Sequence, residues 1–262
     1  MNSEPLISVI MPSYNSALTI RRAVLSVARQ TYKNTEIIVV DNSSADNTAE
    51  AVKEMQAELG GRLKLIVQPN TGVSSARNTG IREAKGEYFV SLDSDDYYEP
   101  ETIRTLYEAL TGDASDVAIC GMRKVYEDGE TPNEELAPEG RFKGTLKEFL
   151  GSSFTALYDL HLIQTHSNKL YKAEVIRNGS IYYNEELAVN EDIDFVMRYL
   201  AACERVSVVQ DIFLNYVQHK KGQSLINTFQ PHGLKGALIV LGSWMKLSEK
   251  AGASEETKSA MD

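Results

Sequence analysis

Phe89-Val90-Ser91-Leu92-Asp93-Ser94-Asp95-Asp96 carries more information about this chain than any other segment of the sequence. Four residues typical of a buried strand run directly into three carboxylates, and a helix is predicted to begin at the following proline, Pro100. Like charges at one strand end repel one another, so a fold retains them where a cation offsets them. Carboxylates at this spacing suit Mg²⁺ or Mn²⁺, which keep waters and bridge to phosphates. The alternative is an acidic loop that caps the next helix near its positive end.

Length and charge limit the classes of protein that this chain can represent. Its 262 residues, of which 42% are hydrophobic, suffice for one large α/β domain or a domain with a small appendage. The net charge of −10 argues against binding a nucleic-acid polymer, because such proteins need basic surface to displace counterions. A single nucleotide requires only local contacts. The two cysteines, Cys120 and Cys203, lie in apolar contexts and indicate core thiols in a reducing cytoplasm.

The sequence contains no pattern typical of a signal peptide and no apolar run of the roughly 18 residues that a membrane span needs. The longest candidate, residues 234–245, is interrupted by glycine and polar residues, so we expect a core-packing helix with membrane attachment as the alternative. The expected location is the cytoplasm, and peripheral association with the inner face of the cell membrane stays open.

Strand and helix patterns alternate along the first half of the chain. Short apolar runs predict strands at 6–11, 36–40, 63–67 and 87–92. Helical periodicity lies between them at 17–30, 47–59 and 74–84. This alternation predicts an α/β fold with a mostly parallel sheet and helices on both faces.

The second half of the chain extends this pattern less regularly. Further strands are predicted at 117–120, 123–126, 206–209 and 213–217, and an exposed loop or hairpin at 127–140. Helices are predicted at 172–177, 191–202 and 230–250. We therefore expect a main domain over residues 1–218 and a small C-terminal loop and helix over residues 219–262.

A polar cluster follows each of the first four predicted strands. The clusters are Ser13-Tyr14-Asn15, Asp41-Asn42-Ser43, residues 68–72 and residues 93–96. Ligands of parallel sheets lie outside the carboxyl ends of the strands, so these clusters share one edge. Separate helix caps would explain any one of them. Four at one edge, one of them with three carboxylates, predict a polar ligand that carries phosphates and a sugar.

These motifs resemble those of the large inverting glycosyltransferase family called family 2, which has the GT-A (Rossmann-like) fold. The matching segments, which extend over roughly residues 6–218, are SVIMPSYN (8–15), QTYKNTEIIVVD (30–41), NTGVSSARNTG (70–80), AKGEY (84–88), DSDD (93–96), NKLY (168–171) and NED (190–192). Each segment is a weak signal alone, whereas their order and spacing together are specific.

The resemblance implies that the chain binds a nucleotide diphosphate sugar and favours a UDP-linked one. It places Asp41 and Asn42 at the base, with Pro12, Ser13 and Tyr14 lining the base and ribose pocket. Many relatives have a second aspartate where this chain has Asn42, and that aspartate accepts the uracil N3–H. The amide oxygen of Asn42 can accept the same hydrogen bond, but its NH₂ group can also serve a different base. Uridine is favoured without being fixed.

The resemblance also assigns residues to the phosphates and the ribose. Arg77 is placed near the nucleotide or diphosphate, where a guanidinium binds phosphate oxygens bidentately. The alternative for Arg77 is a surface ion pair with Glu83 or another acidic neighbour. Asp93 is implied to hold the ribose or a metal-bound water, and Ser94 belongs to the same donor site.

Asp95 is implied as the direct ligand of Mg²⁺ or Mn²⁺. His219 is a second candidate ligand, because a late histidine binds the metal in some GT-A enzymes, and a solvated loop histidine is the alternative. Asp96 either supports the metal site or caps the helix at Pro100.

The acids of the NED motif are the candidate catalytic residues. In transfer with inversion, a carboxylate takes a proton from the acceptor hydroxyl, and such help contributes about 10²–10⁴ in rate. The resemblance implies Asp192 as this base, with Glu191 as the fallback. The alternative is that both are ordinary first-turn helix acids stabilised by the helix dipole. His166, before the NKLY motif, either borders the acceptor or packs in the core.

The function implied is metal-dependent, inverting transfer of a sugar to a hydroxyl of a glycan or lipid-linked saccharide. Processive members of the family carry a Gln-x-x-Arg-Trp motif, which does not precede Trp244, so non-processive transfer is expected. Two other classes compete with this function. One is a catalytically silent module that binds nucleotide sugars. The other is a sugar nucleotidyltransferase, although residues 12–16 lack the glycine-rich, basic loop that grips a triphosphate.

Overall fold

The computed structural model describes residues 4–128, 130–218, 233–250 and 252. In that part of the chain one sheet contains the strands β1 (Ile7–Ser13), β2 (Thr35–Asp41), β3 (Leu63–Val67), β4 (Tyr88–Ser91), β5 (Tyr97–Tyr98), β6 (Val117–Tyr126), β7 (Glu134–Leu136), β8 (Phe142–Thr145), β9 (Lys169–Lys172) and β10 (Arg205–Gln218). The α-helices are α1 (Ile20–Ala28), α2 (Thr48–Leu59), α3 (Val73–Glu83), α4 (Thr102–Gly112), α5 (Leu146–Ser152), α6 (Phe154–Asp159), α7 (Ala173–Gly179), α8 (Glu191–Ala202) and α9 (Gly233–Lys250).

The first four strands form the parallel half of the sheet. Their spatial order is β3-β2-β1-β4, and each neighbouring pair is parallel. Helices cover both sides of the sheet, as predicted. Helix α3 packs closely on β1 because of Gly80, where an added Cβ would lie 2.3 Å from the side chain of Ile10. This close packing brings the first turns of α3 to the carboxyl ends of β1 and β2.

The other half of the sheet is mixed. Strand β9 is antiparallel to both β4 and β6, and β10 is parallel to β6 but antiparallel to β5 and β8. The mostly parallel arrangement predicted from the sequence therefore holds from β3 to β4 and changes at β9. Most of strand β9 lies in the segment 141–171, for which no strand or helix was predicted, and its last residue, Lys172, was predicted to begin a helix.

The predicted breaks within β6 and β10 were wrong, because each is one continuous strand. Gly121 suggested a break in β6, but it serves a close approach: an added Cβ would lie 2.8 Å from the carbonyl oxygen of Leu136. Leu136 belongs to β7, which pairs with β6 and confirms a hairpin in the segment 127–140. Strand β10 continues past its polar residues through register shifts between Val208 and Leu214.

The C-terminal helix α9 packs on the rest of the fold through one face. The ring of Trp244 makes edge contacts with Phe154 and Tyr158, and Leu247 is buried. One face of this helix therefore packs against the domain, as expected for residues 234–245. The opposite face is exposed at Leu238, Leu241 and Met245. Among the residues that the structure describes, no helix combines the length and apolar character required to cross a bilayer.

Candidate active site

The loops after the parallel strands contact one another at one edge of the sheet. The backbone N–H of Asn42 donates to the carbonyl of Ser13 at 2.9 Å and joins the loops after β2 and β1. The hydroxyls of Ser16 and Ser94 are 2.7 Å apart and join the loops after β1 and β4. The predicted common edge is present. Ser94, predicted to contact the donor, is buried in this loop contact.

Asn42 lies within a network of amide side chains. Its Oδ1 accepts a hydrogen bond from Gln68 Nε2 at 3.1 Å and a longer one from the Thr71 N–H at 3.4 Å. Its Nδ2 donates to Asn70 Oδ1 at 3.0 Å. A carbonyl oxygen has two lone pairs, and both face protein donors here. A uracil N3–H would therefore bind Asn42 by replacing one of these donors.

The other residues predicted at the base and ribose differ in exposure. Pro12 and Ser13 are buried at the end of β1, and the Ser13 hydroxyl has no hydrogen-bond partner within the described residues. Tyr14 is 52% exposed. Asp41 is buried and accepts hydrogen bonds from the hydroxyl and, at 3.3 Å, the N–H of Ser44. Tyr14 can thus face a ligand, whereas the Ser13 hydroxyl is buried and Asp41 holds its own loop.

Residues 93–96 form a turn after β4. The turn is closed by a hydrogen bond from the Asp96 N–H to the Asp93 carbonyl at 3.1 Å. Asp95 is partly exposed in this turn, and its backbone carbonyl accepts from Arg22 Nη2 at 2.9 Å. The Arg22 guanidinium lies over the ring of Tyr97, 4.7 Å from its centroid. The backbone that carries Asp95 is therefore held in place by a stacked cation.

Asp96 supports the end of β10. It is buried, and its Oδ1 accepts the backbone N–H of Val217 at 2.8 Å. The predicted alternative that Asp96 caps the helix after Pro100 is wrong, because β5 intervenes and α4 begins only at Thr102. Burial raises the pKa of Asp96 well above its ordinary value, and the two other aspartates of the turn raise it further.

Arg77 joins the two acidic motifs. Its Nη1 donates to Glu191 Oε1 at 2.7 Å, and its Nη2 donates to Asp93 Oδ1 at 2.9 Å. In this structure each terminal nitrogen of the guanidinium binds a carboxylate, and the predicted phosphate contact stays a prediction. The alternative of a surface pair with Glu83 is wrong, since Arg77 is buried and Glu83 pairs with Lys64.

The shared cation and burial determine the pKa values of this cluster. Burial alone would raise the pKa of Asp93, but the charge of Arg77, followed by that of His166, holds it well below its ordinary value. Burial raises the pKa of Glu191 against the opposing charge of Arg77, and the charge of Asp192 adds to the increase. One guanidinium therefore partly compensates two carboxylates that come from opposite halves of the sequence.

Asp192 is the acid of the NED motif that faces solvent. Its side chain is 38% exposed, against 12% for Glu191. Glu191 is poorly suited to serve as the fallback base, because its Oε1 is bound to Arg77. Asp192 Oδ1 accepts the N–H of Ile193 at 3.0 Å, while Oδ2 lies 3.9 Å from His166 Nδ1. Of the two predicted bases, Asp192 has the exposure that an acceptor hydroxyl requires.

The third acid of the same helical turn, Asp194, connects α8 to α9. It is buried, forms an ion pair with Arg198 at 2.6 Å and accepts the Ser243 hydroxyl at 2.7 Å. The three acids at the start of α8 thus have three different environments. The helix dipole would act on all three acids in the same way, so it does not explain why their surroundings differ.

Two aromatic rings, those of Tyr183 and His166, complete the cluster. No role was predicted for Tyr183, and two alternatives were predicted for His166. Tyr183 stacks on Phe195 with ring centroids 4.2 Å apart, and its ring lies 5.1 Å from the Arg77 guanidinium. His166 is buried, with Nε2 3.7 Å from Asp93 Oδ1. The available signal for His166 was its place next to the NKLY motif. Tyr183 lies in a stretch without periodicity and had no such signal.

The NKLY motif holds the loop that carries His166. Lys169 is fully buried, and burial lowers the pKa of its ammonium group to about 7. Its Nζ lies within hydrogen-bond distance of four oxygen acceptors: the carbonyls of Leu162 (2.6 Å), Ile163 (3.2 Å) and Thr165, and Asn168 Oδ1 (2.8 Å). These bonds fix the loop directly before β9 from within the core.

The acid predicted to bind a divalent cation, Asp95, is partly exposed. Within the described ranges no group of three or more His, Cys, Asp or Glu side chains is arranged to hold a metal ion, and the predicted ligand His219 lies outside those ranges. Magnesium commonly binds through one or two carboxylates together with phosphate oxygens and waters. The partly exposed Asp95 fits this mode, in which a diphosphate supplies further ligands.

Three comparisons place these residues among known proteins. Residues 8–179 match the family model described as Glycosyl transferase family 2. The chain is 29% identical over 225 residues to poly(ribitol-phosphate) beta-N-acetylglucosaminyltransferase TarS of Staphylococcus aureus, a match that covers 85% of this chain and 37% of TarS. It is 30% identical over 224 residues to the cholesterol galactosyltransferase of Borreliella burgdorferi, covering 83% of this chain and 62% of that protein.

Solved structures agree with this similarity. TarS 1–349 from S. aureus in complex with UDP-GlcNAc superposes with a TM-score of 0.77 at 25% identity, covering 92% of this chain and 66% of that one. The complex of the same TarS segment with UDP gives a TM-score of 0.72 at 26% identity, covering 90% and 64%. The described fold is therefore the GT-A fold. The chain spans little more than a third of the length of full TarS.

Proposed function

The chain belongs to glycosyl transferase family 2, and on that premise we propose that it transfers a sugar from a nucleotide diphosphate sugar to a hydroxyl group. The proposed donor is UDP-linked, and UDP-GlcNAc is the first candidate because TarS has been solved with that molecule. The proposed acceptor is a glycan or lipid-linked saccharide. Inversion at the anomeric carbon, non-processive transfer and a catalytic domain over residues 1–218 are parts of the same proposal.

The observation that carries the proposal is the contact between the two acidic motifs. Asp93 and Glu191 lie 98 positions apart in the sequence and bind the two terminal nitrogens of one buried guanidinium, that of Arg77. This contact brings the exposed acid beside Glu191, Asp192, to the turn that carries Asp95. A general base on one side of a cleft and a cation-binding carboxylate on the other suit transfer from a diphosphate donor.

The proposed chemistry is a single displacement. The acceptor oxygen attacks the anomeric carbon of the donor while Asp192 takes the proton from that hydroxyl. The bond from the anomeric carbon to the diphosphate oxygen breaks, and its electron pair leaves with the nucleoside diphosphate. A Mg²⁺ or Mn²⁺ ion at Asp95 would supply positive charge against that leaving group. Ser13 and Tyr14 bind the nucleoside, and Arg77 holds the acids in place.

The test measures UDP binding and UDP release separately. Wild-type protein is screened by calorimetry for UDP and UDP-sugar binding with and without Mn²⁺, and then for UDP release with a panel of saccharide acceptors. Asp192→Asn is expected to keep the UDP affinity of the wild type and to turn over at least about 10²-fold more slowly. Asp95→Ala is expected to lose the part of UDP affinity that depends on Mn²⁺. Asp159→Asn, an exposed acid at the end of α6, serves as the matched control.

The same screen separates the two competing classes. Pyrophosphate release from UTP and a sugar phosphate would indicate a nucleotidyltransferase. Binding of UDP-sugars with neither transfer nor donor hydrolysis would indicate a silent module. Unchanged turnover in Asp192→Asn would remove Asp192 as the base.

A further inference from the structure

His166 occupies a fixed position between the two acidic motifs. Only 3% of its side chain is exposed. Its Nε2 is 3.7 Å from Asp93 Oδ1, and its Nδ1 is 3.9 Å from Asp192 Oδ2. Its ring meets the edge of Tyr183 at a centroid distance of 5.8 Å, and its backbone carbonyl accepts the Tyr171 hydroxyl at 3.0 Å. Backbone and ring are therefore both held by neighbours.

The ring nitrogens of His166 have no other partner in the described part of the chain. Neither ring nitrogen has a hydrogen bond there, although both are buried. Each nitrogen instead faces one carboxylate oxygen just beyond hydrogen-bond distance. Buried polar groups are almost always hydrogen-bonded, so an exception of this kind next to two acids calls for an explanation.

The chemistry of imidazole limits what His166 can do at this position. A neutral ring has one N–H donor and one acceptor nitrogen, whereas two ionised carboxylates offer acceptors only. The ring can satisfy Asp93 and Asp192 together when it carries two N–H groups, or when one of the acids carries a proton. The orientation of Asp192 is thus coupled through one ring to Asp93.

We propose that His166 is a positioning residue for the transfer reaction, which directs the Asp192 carboxylate toward the acceptor hydroxyl and fixes it relative to Asp93. The inference rests on the proposed function, because it concerns the base of that reaction. Arg77 couples Glu191 to Asp93 in the same way. His166 and Arg77 therefore form two parallel links between the donor side and the acceptor side of the site.

The kinetic test compares three variants that keep different atoms of the ring. His166→Phe keeps a planar ring without nitrogens, His166→Asn keeps an amide donor near the Nδ1 position, and His166→Gln keeps one near the Nε2 position. His166→Phe is expected to lower kcat by about 10–10²-fold, because small misplacements of a catalytic group have effects of that size. UDP affinity is expected to stay at the wild-type value.

The order of the variants identifies the carboxylate through which His166 acts. His166→Asn, with its donor toward Asp192, is expected to retain a higher kcat than His166→Gln or His166→Phe. Equal kcat in all three variants, or losses of UDP affinity that match the losses in kcat, would overturn the proposal. His161→Asn is the control, because His161 is exposed and Asn tolerates its positive φ of 59°.

A second measurement needs neither turnover nor a stable His166→Phe variant. Imidazole ¹⁵N NMR of the wild-type chain reports each ring nitrogen of His166. Asp192→Asn is expected to shift the Nδ1 resonance and Asp93→Asn the Nε2 resonance, and unchanged resonances would overturn the coupling. Failure of the proposed function would instead appear as a wild-type protein that turns over no donor while these NMR shifts persist.

Discussion

Replacing Arg77 with methionine tests the central electrostatic argument, because it removes one cation from between two acids. Breaking a buried ion pair by removing one partner costs about 3–5 kcal/mol. The Glu191 side chain is only 12% exposed, so we assign the loss of its partner a cost in that range. The Asp93 side chain is 28% exposed and better solvated, so the loss of its partner adds less to the cost. We therefore expect Arg77→Met to lower the free energy of unfolding by about 3–5 kcal/mol at pH 7.5.

Chemical denaturation measures this loss. With a urea m-value of about 3 kcal/mol per M, the midpoint of unfolding is expected to fall by about 1–1.7 M. The matched control is Arg82→Met on the same helix, where the guanidinium is exposed and lies over the ring of Tyr182. That change is expected to cost less than about 1 kcal/mol.

The pH dependence gives the sign of the effect. In the wild type the lowered pKa of Asp93 stabilises the fold above the unfolded value of about 3.9, and this contribution is lost as the pH falls through the folded value. Without Arg77, burial is expected to raise the pKa of both acids above their unfolded values, because it is the main raising cause in the wild type. Their protonated forms then favour the folded variant at low pH, and that contribution is lost as the pH rises. The gap between wild type and Arg77→Met is therefore expected to be smaller at pH 5 than at pH 7.5.

Neutralising the acids provides a further control. The triple variant Arg77→Met, Asp93→Asn, Glu191→Gln is expected to recover most of the stability that Arg77→Met loses at pH 7.5. A stability loss that is the same at pH 5 and pH 7.5, or that the triple variant does not reduce, would refute the argument from charge.

Two further changes test the supports of the site. Lys169→Met is expected to cost about 1–3 kcal/mol or more, because it removes the Nζ donor from oxygen acceptors in the core, of which the Leu162 carbonyl keeps a hydrogen bond from Asn168 Nδ2. Lys64→Met, at an exposed ion pair, is expected to cost less than about 1 kcal/mol in the same denaturation assay. Ser243→Ala removes a hydrogen bond to the buried carboxylate of α8 and is expected to cost about 1.5–3 kcal/mol. Ser248→Ala, which removes only a bond within α9, should cost less; equal losses in the two serine variants would contradict this argument.

The parallel half of the fold was predictable because its signals are local. Strands β1 to β4 are short apolar runs, each ending at a polar cluster, and the helices between them carry their own periodicity. Parallel connection then places the clusters at one edge, which the contact between Ser16 and Ser94 confirms. The start of α5 also has a local signal, since Thr145 and Glu148 form a capping box that is visible as Thr-x-x-Glu in the sequence.

The pairing within the site was not predictable, because it depends on contacts between distant segments. Local sequence gives Arg77 the same properties whether its partner is a phosphate, Glu83 or Glu191. The choice follows from the packing of α8 against the strands, which decides which carboxylates reach a buried guanidinium. Gly121 illustrates the same limit, since a glycine that permits the approach of β7 has the sequence signature of a strand break.

The contact between Arg77 and Glu191 also has a consequence for synthesis on the ribosome. The two residues are 114 positions apart, and chains grow at about 5–20 residues per second, so their emergence is separated by about 6–23 s. For most of that interval the nascent chain has produced every strand of its parallel half but not the second carboxylate for its arginine. The contact that joins the two acidic motifs is therefore completed only after translation of more than two thirds of the chain.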